Sequence, residues 1–182
     1  MNAREIIDRH YPAGSPLRDI YLRHCGSVAS LALEINERCA LDLDRQLVED
    51  AAMLHDIGIF LTHAPSIHCH GEMPYILHGV AGADLLRVEG ADEPLARVAE
   101  SHTGSGLTPG EIAAAHLPIP SGRDTMPRTI LEKLICYADK FYSKSGDMQR
   151  KPMERVEQEM SRFGQASLDR FMEMKKLFGD VE

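Results

Sequence analysis

The sequence has no tryptophan, no Cys-x-x-Cys pair, no repeat and no low-complexity tract. No apolar stretch approaches the roughly 18–20 residues that a membrane-spanning helix needs. No basic run exceeds two or three residues, and 20 Lys and Arg against 28 Asp and Glu leave a net charge of −8. A phosphate-tracking interface for nucleic acid is therefore not expected. The first residues, Met-Asn-Ala-Arg-Glu-Ile-Ile-Asp, mix acidic, basic and apolar side chains and do not read as a signal peptide. These absences point to a soluble, cytoplasmic protein with no membrane contact. Its 182 residues suit a single domain, 1–182, with enough chain to build a core without disulfides.

Four widely spaced cysteines (Cys25, Cys39, Cys69, Cys136) are expected to be reduced, three of them in helical, largely apolar stretches. Nine histidines are more informative, because several fall at the ends of apolar helical faces.

The apolar periodicity is helical throughout, and no segment alternates with period two for long enough to propose a strand. A first helix covers 3–10. Ser15 followed by Pro16 is an N-cap with proline in the first turn of a second helix that runs to residue 38. A third spans about 44–60, its regularity running out at Ile57-Gly58. Residues 62–74 form a loop. Helices follow at 75–89, from an Asp92 cap to about 102, at 108–116 behind a Thr108/Glu111 capping box, and at 128–143. A proline-rich loop covers 117–127, and the tail, 151–178, reads as two helices broken near Gly164. The fold class is all-α, a helical bundle.

Placed on these helices, His24 continues the stripe of Val28, Leu31 and Ile35, and Asp139 that of Leu131 and Ile135. His78 shares a face with Gly82 and Leu85, and His102 one with Leu95, Val98 and Ala99. His55 and Asp56 are adjacent, so they diverge by about 100° on a helix and reach one ion together only near its end. Six metal-capable side chains thus face inward from five helices. Buried carboxylates without a partner are costly, and divalent metal accounts for two of them among four histidines.

This order of residues resembles the HD superfamily of metal-dependent phosphohydrolases, with His55-Asp56-Ile57-Gly58 as its HDIG signature. The resemblance covers an HD-like core of about 18–145 and leaves the helical extension, 151–178, unaccounted for. It implies that His24, His55, Asp56 and Asp139 bind one metal, that His78 and His102 hold a second, and that Asp56 bridges them. His55 and Asp56 would be the catalytic pair. Six side chains are also too many for one ion that keeps a position open for substrate, whereas two ions roughly 3.5–4 Å apart share a carboxylate naturally. The implied reaction is hydrolysis of a phosphate ester or anhydride, of a nucleotide or related small phosphate, by a metal-bridging hydroxide.

The ligand set contains no thiolate, which favours iron or manganese and leaves zinc, nickel and magnesium in range. The lysine and Gly-Tyr-Pro segment of the family's cyclic-dinucleotide phosphodiesterases are missing after HDIG, where Ile59 stands. So is the glutamate of its nucleotidases and alarmone hydrolases. Lys140, Arg123 and Arg128 are candidate phosphate ligands. His63, His68 and His70 crowd the first loop without an assigned role, the two long loops are expected to wall the substrate pocket, and methionines of the tail leave room for a homodimer. The alternative to an enzyme is a metal-stabilised module that senses a nucleotide or docks a partner without turnover.

Overall fold

The computed structural model describes residues 2–181. Helix α1 (Ala3–His10) is capped by Asn2, and α2 (Pro16–Arg38) opens at Ser15, whose side chain accepts from the Arg18 amide. Helix α3 (Arg45–Leu54) begins where the Asp44 carboxylate accepts from Leu47 N–H. After the 62–74 loop come α4 (His78–Val88), α5 (Glu93–Ser101) and α6 (Pro109–Ala114), the last opened by the expected reciprocal Thr108/Glu111 box. Helix α7 (Ile130–Asp139) is capped by Thr129, and α8 (Met153–Arg162) and α9 (Gln165–Phe178) meet at Gly164. Gly164 has φ +102°, a conformation that glycine adopts without a Cβ penalty. The architecture is the expected all-α bundle.

Three boundaries differ from the sequence reading by three residues or more. Helix α3 stops at Leu54, not near residue 60, and the chain continues as turns and a 3₁₀ segment, Ile59–Leu61. The fourth helix begins at His78 because Tyr75–Leu77 is a 3₁₀ turn. Helix α7 ends at Asp139 because the next residues switch to tighter bonds, from Lys140 N to Tyr137 O (3.2 Å) and Tyr142 N to Asp139 O (3.1 Å). Asp92 stands at the N-cap of α5 with extended backbone, yet its side chain makes no capping bond. The first loop also carries a small antiparallel ladder, β1 (His63–Ala64) with β2 (Cys69–His70). Two residues per strand are too few for alternation to show in a sequence.

The core is continuous from α1 to α9. Ile6, Ile7 and Tyr11 join Tyr21, Leu31 and Ile35 of α2, and Tyr137 and Phe141 join Phe171 and Phe178 of α9. Each of these large side chains is fully buried, which contributes about 1.5–3 kcal/mol for an aliphatic or Phe side chain. Arg38 donates to the Phe178 and Asp180 carbonyls, and the Tyr137 hydroxyl to that of Gly179, so the last residues are tied to α2 and α7. All four cysteines are free thiols. Among the described residues no helix is long and apolar enough to cross a membrane.

Candidate metal centre

The chemistry-bearing residues sit at helix ends. His55 is the C-cap of α3, His102 the C-cap of α5, Asp139 the last residue of α7 and His78 the first of α4; His24 alone is mid-helix, in α2. Three helix C-termini therefore converge on one point, and their partial negative charge favours a cation there. Ending α3 at Leu54 is what lets the neighbours His55 and Asp56 face the same centre. The Tyr11 hydroxyl holds the turn from outside by donating to the Ile57 carbonyl at 3.0 Å.

Ligand atoms of His24, His55, Asp56 and Asp139 form one buried group, and Asp56, His78 and His102 form a second. Asp56 divides its oxygens between them. Its Oδ2 lies 3.1 Å from Nε2 of both His24 and His55, while Oδ1 lies 3.6 Å from His78 Nε2 and 3.4 Å from His102 Nε2. Asp139 Oδ1 is 3.0 Å from His24 Nε2 and 3.5 Å from His55 Nε2. Two ligands about 2.1 Å from a common ion, at 90–109° to each other, lie roughly 3.0–3.4 Å apart.

The imidazoles are oriented for this role. His55, His78 and His102 each place Nδ1 against a backbone carbonyl three residues back, those of Ala52 (2.6 Å), Tyr75 (2.7 Å) and Ala99 (2.8 Å). A carbonyl only accepts, so each Nδ1 carries the proton and each neutral ring presents a lone pair at Nε2. Yet the Nε2 atoms of His78 and His102 are 3.0 Å apart, and those of His24 and His55 3.3 Å. Facing lone pairs repel unless a proton or metal cation lies between them. In addition, His24 Nδ1 and Asp56 Oδ1 are buried with no hydrogen-bond partner among the described residues, and Asp56 Oδ2 has the Lys144 ammonium at 2.6 Å without hydrogen-bond geometry. Such groups are costly unless something coordinates them. The residues present fit divalent metal.

The electrostatics agree. Burial, reinforced by His102, holds the His78 pKa down to about 3, so its ring is neutral at ordinary pH. Burial also lowers His102, against the pull of Asp56. Burial works against both carboxylates, but Lys144 and His55 outweigh it at Asp56, and Lys140 and His24 at Asp139, and both stay well below the usual range. Burial pulls His55 down, but Asp56, Cys25 and Asp139 together outweigh it and move it up, so that without a cation at Nε2 a proton takes that place.

Lys140 is buried, where its ammonium donates to Asp139 Oδ2 (2.7 Å) and to the His102 carbonyl (3.0 Å). It positions two candidate ligands. Arg123 and Arg128 lie elsewhere, beside the proline-rich loop: Arg123 pairs with Asp84 and buried Glu100, and Arg128 with Asp124. Neither lines the cleft at Asp139. His63, His68 and His70 are exposed on the ladder loop and join neither ligand group. A residue the sequence reading missed is Lys144, whose Nζ lies 2.6 Å from Asp56 Oδ2. It stands four residues after Lys140, so the helical step carried past the end of α7 was the available signal.

The HD domain family matches residues 21–143, which contain all six candidate ligands. The chain belongs to the HD domain family. This HD domain is 34% identical over 125 residues to a tRNA (cytidine(56)-2'-O)-methyltransferase of Picrophilus torridus, covering 69% of this chain and 32% of that one. It is 36% identical over 121 residues to an uncharacterized protein of Methanocaldococcus jannaschii, covering 65% of this chain and 63% of that one. A second methyltransferase of the same name, from Thermoplasma volcanium, is 29% identical over 96% of this chain and 46% of its own length. The HD domain thus spans between a third and two thirds of the length of these curated relatives. Among solved structures it resembles the HD domain of the L. monocytogenes phosphodiesterase PgpH, with a TM-score of 0.57 at 16% identity over 98% of this chain and 86% of that one. The same domain in complex with cyclic-di-AMP gives 0.55 at 17% identity, over 98% and 84%. At these identities the likeness is one of fold.

Proposed function

We propose that this HD domain is a metal-dependent phosphohydrolase that holds two divalent cations and cleaves a phosphate ester or anhydride of a nucleotide or related small phosphate. The observation that carries the proposal is Asp56, whose two oxygens each face a separate set of imidazole lone pairs. Bound divalent cations supply Lewis acidity toward phosphoryl oxygens and lower the pKa of water. The all-nitrogen-and-oxygen ligand set favours iron or manganese, with zinc, nickel and magnesium in range.

The protein's own residues do the rest. The three carbonyl contacts at Nδ1 fix the tautomer and orientation of His55, His78 and His102, and Lys140 fixes Asp139 together with the His102 backbone. Lys144 stands at the mouth of the centre, its side chain 14% exposed. When cations engage Asp56, its ammonium is available to a substrate phosphate. A cavity of about 420 Å³ opens there, lined among others by Tyr75, Asp139, Lys140, Ser143, Lys144 and Lys151. That is the size of a small-molecule site, and with the acidic net charge it favours a small phosphate over a nucleic acid. The PgpH domain, a phosphodiesterase domain of this fold that binds cyclic-di-AMP, supports the nucleotide class. The methyltransferase activity in the relatives' names is not carried over, because the match covers less than half of those chains.

The test is a panel of phosphate mono- and diesters, nucleotides and dinucleotides offered to the protein after reconstitution with each candidate metal. Metal-dependent release of phosphate or nucleotide from at least one class is expected. Tight binding without turnover across the panel would overturn the enzyme and leave a nucleotide-sensing module.

A further inference from the structure

The centre opens into two cavities of opposite character. The first, described above, is edged by the charged side chains of Lys140, Lys144, Lys151, Asp139 and Glu159. The second, about 470 Å³, is lined by Ile76, His78, Leu107, Ala115, Leu117 and Phe163 among others. Tyr75, Gly104 and Phe163 line both, so the two cavities adjoin, and each reaches one of the candidate metal ligands.

Two polar side chains along the second cavity are already committed. Glu111 accepts from Arg170 and from Thr108, and Ser167 bonds Ser105 at 2.9 Å. What remains facing a ligand there is largely aliphatic and aromatic. Phe163 stands out because the residue is 70% exposed at the α8–α9 corner, although it borders both cavities. A large aromatic side chain left in water at the rim of an apolar cavity marks a surface meant to be covered.

We infer that the substrate is a phosphate ester bearing a planar, apolar ring group. The phosphate would lie at Lys144 and the metal centre, and the ring would sit in the Leu107–Leu117–Phe163 cavity. Phe163 is then a specificity-determining residue, and it assigns the C-terminal helices, outside the family match at 21–143, a role in substrate choice. Ring recognition by stacking tolerates differences between rings, so the cavity selects the class of group more than its hydrogen-bonding pattern.

This inference rests on the phosphohydrolase reading, and the experiment separates the two. Affinities of inorganic phosphate, methyl phosphate and 1-naphthyl phosphate are measured calorimetrically on the manganese-loaded full chain, for wild type, Phe163→Ala and Ala115→Glu. Both substituted positions are exposed, so the fold is retained. Wild type is expected to bind naphthyl phosphate at least roughly tenfold more tightly than methyl phosphate. Phe163→Ala and Ala115→Glu are expected to remove most of that preference while both variants still bind inorganic phosphate. Equal affinity for the two esters, or a preference that survives both substitutions, would overturn the inference and leave the phosphate site standing. Failure of all three to bind any variant would overturn the phosphohydrolase reading, and this inference with it.

Discussion

Asp56→Asn is expected to lower phosphate-ester hydrolysis by at least about a thousandfold while leaving the helical content intact. A metal centre contributes several kcal/mol of transition-state stabilisation, and each 1.4 kcal/mol is a factor of about ten in rate. Asp56 faces both ligand groups, so no other single substitution should cost as much. Asparagine keeps the shape and removes the charge. Lys144 then loses its carboxylate, but its side chain is 14% exposed and can turn to water, so the cost stays below the roughly 3–5 kcal/mol of a fully buried pair. The readout independent of activity is thermal. Metal at about 100 times its Kd stabilises a protein by roughly 2.7 kcal/mol, or about 5–11 °C in Tm for a chain of this size. Wild type should show that rise and Asp56→Asn little of it. Full activity, or an undiminished metal-dependent rise, would contradict the assignment.

Gly58→Ala is expected to cost about 3 kcal/mol, a fall of about 6–12 °C in Tm, although alanine adds a single methyl group. The backbone at Gly58 is ordinary, with φ −85°, so the requirement is space. A Cβ there would lie 2.3 Å from the His78 carbonyl oxygen, 2.5 Å from Gly82 N and 2.8 Å from Gly82 Cα. These are backbone atoms and cannot swing aside. The turn carrying His55 and Asp56 would have to separate from α4, which carries His78, so metal affinity should fall with stability. Gly26→Ala is the matched control. Gly26 lies inside α2, with nothing within 4 Å of an added Cβ, so alanine should stabilise by about 0.5–1 kcal/mol. Calorimetric melting of the two variants with and without metal checks both values. A Gly58→Ala protein that melts with wild type and binds metal equally would show that the close approach is not required.

Much of the bundle was legible because its signals are local. Ser15-Pro16, the Thr108/Glu111 box and Gly164 mark their boundaries by capping and turn chemistry that needs no tertiary partner. Four candidate ligands, His24, His78, His102 and Asp139, were legible because each lies in step with an apolar stripe, and the adjacent His55 and Asp56 through the HDIG resemblance. The errors fall where tertiary contacts override helical periodicity. Residues 55–60 keep an apolar pattern that reads as helix, but the contact of Gly58 with α4 ends α3 early. Lys140 read as a candidate phosphate ligand from its place beside Asp139, whereas Asp139 and the His102 carbonyl draw it inside. Arg123 was drawn toward the site by its charge, while the buried carboxylate of Glu100, which also pairs with Arg87 and Arg97, takes it elsewhere. Such choices among partners depend on which helices pack together, and residue spacing does not carry that information.

The most direct test of the central claim is the metal content of wild type and His102→Ala, purified without a metal-affinity tag and reloaded with iron, manganese or zinc. His102 contributes to the group with His78 and has no part in the group of His24, His55 and Asp139. Two sites sharing Asp56 predict about two equivalents of metal in wild type and about one in the variant. No bound metal in wild type after reloading with every candidate ion, or a stoichiometry that His102→Ala leaves unchanged, would contradict it.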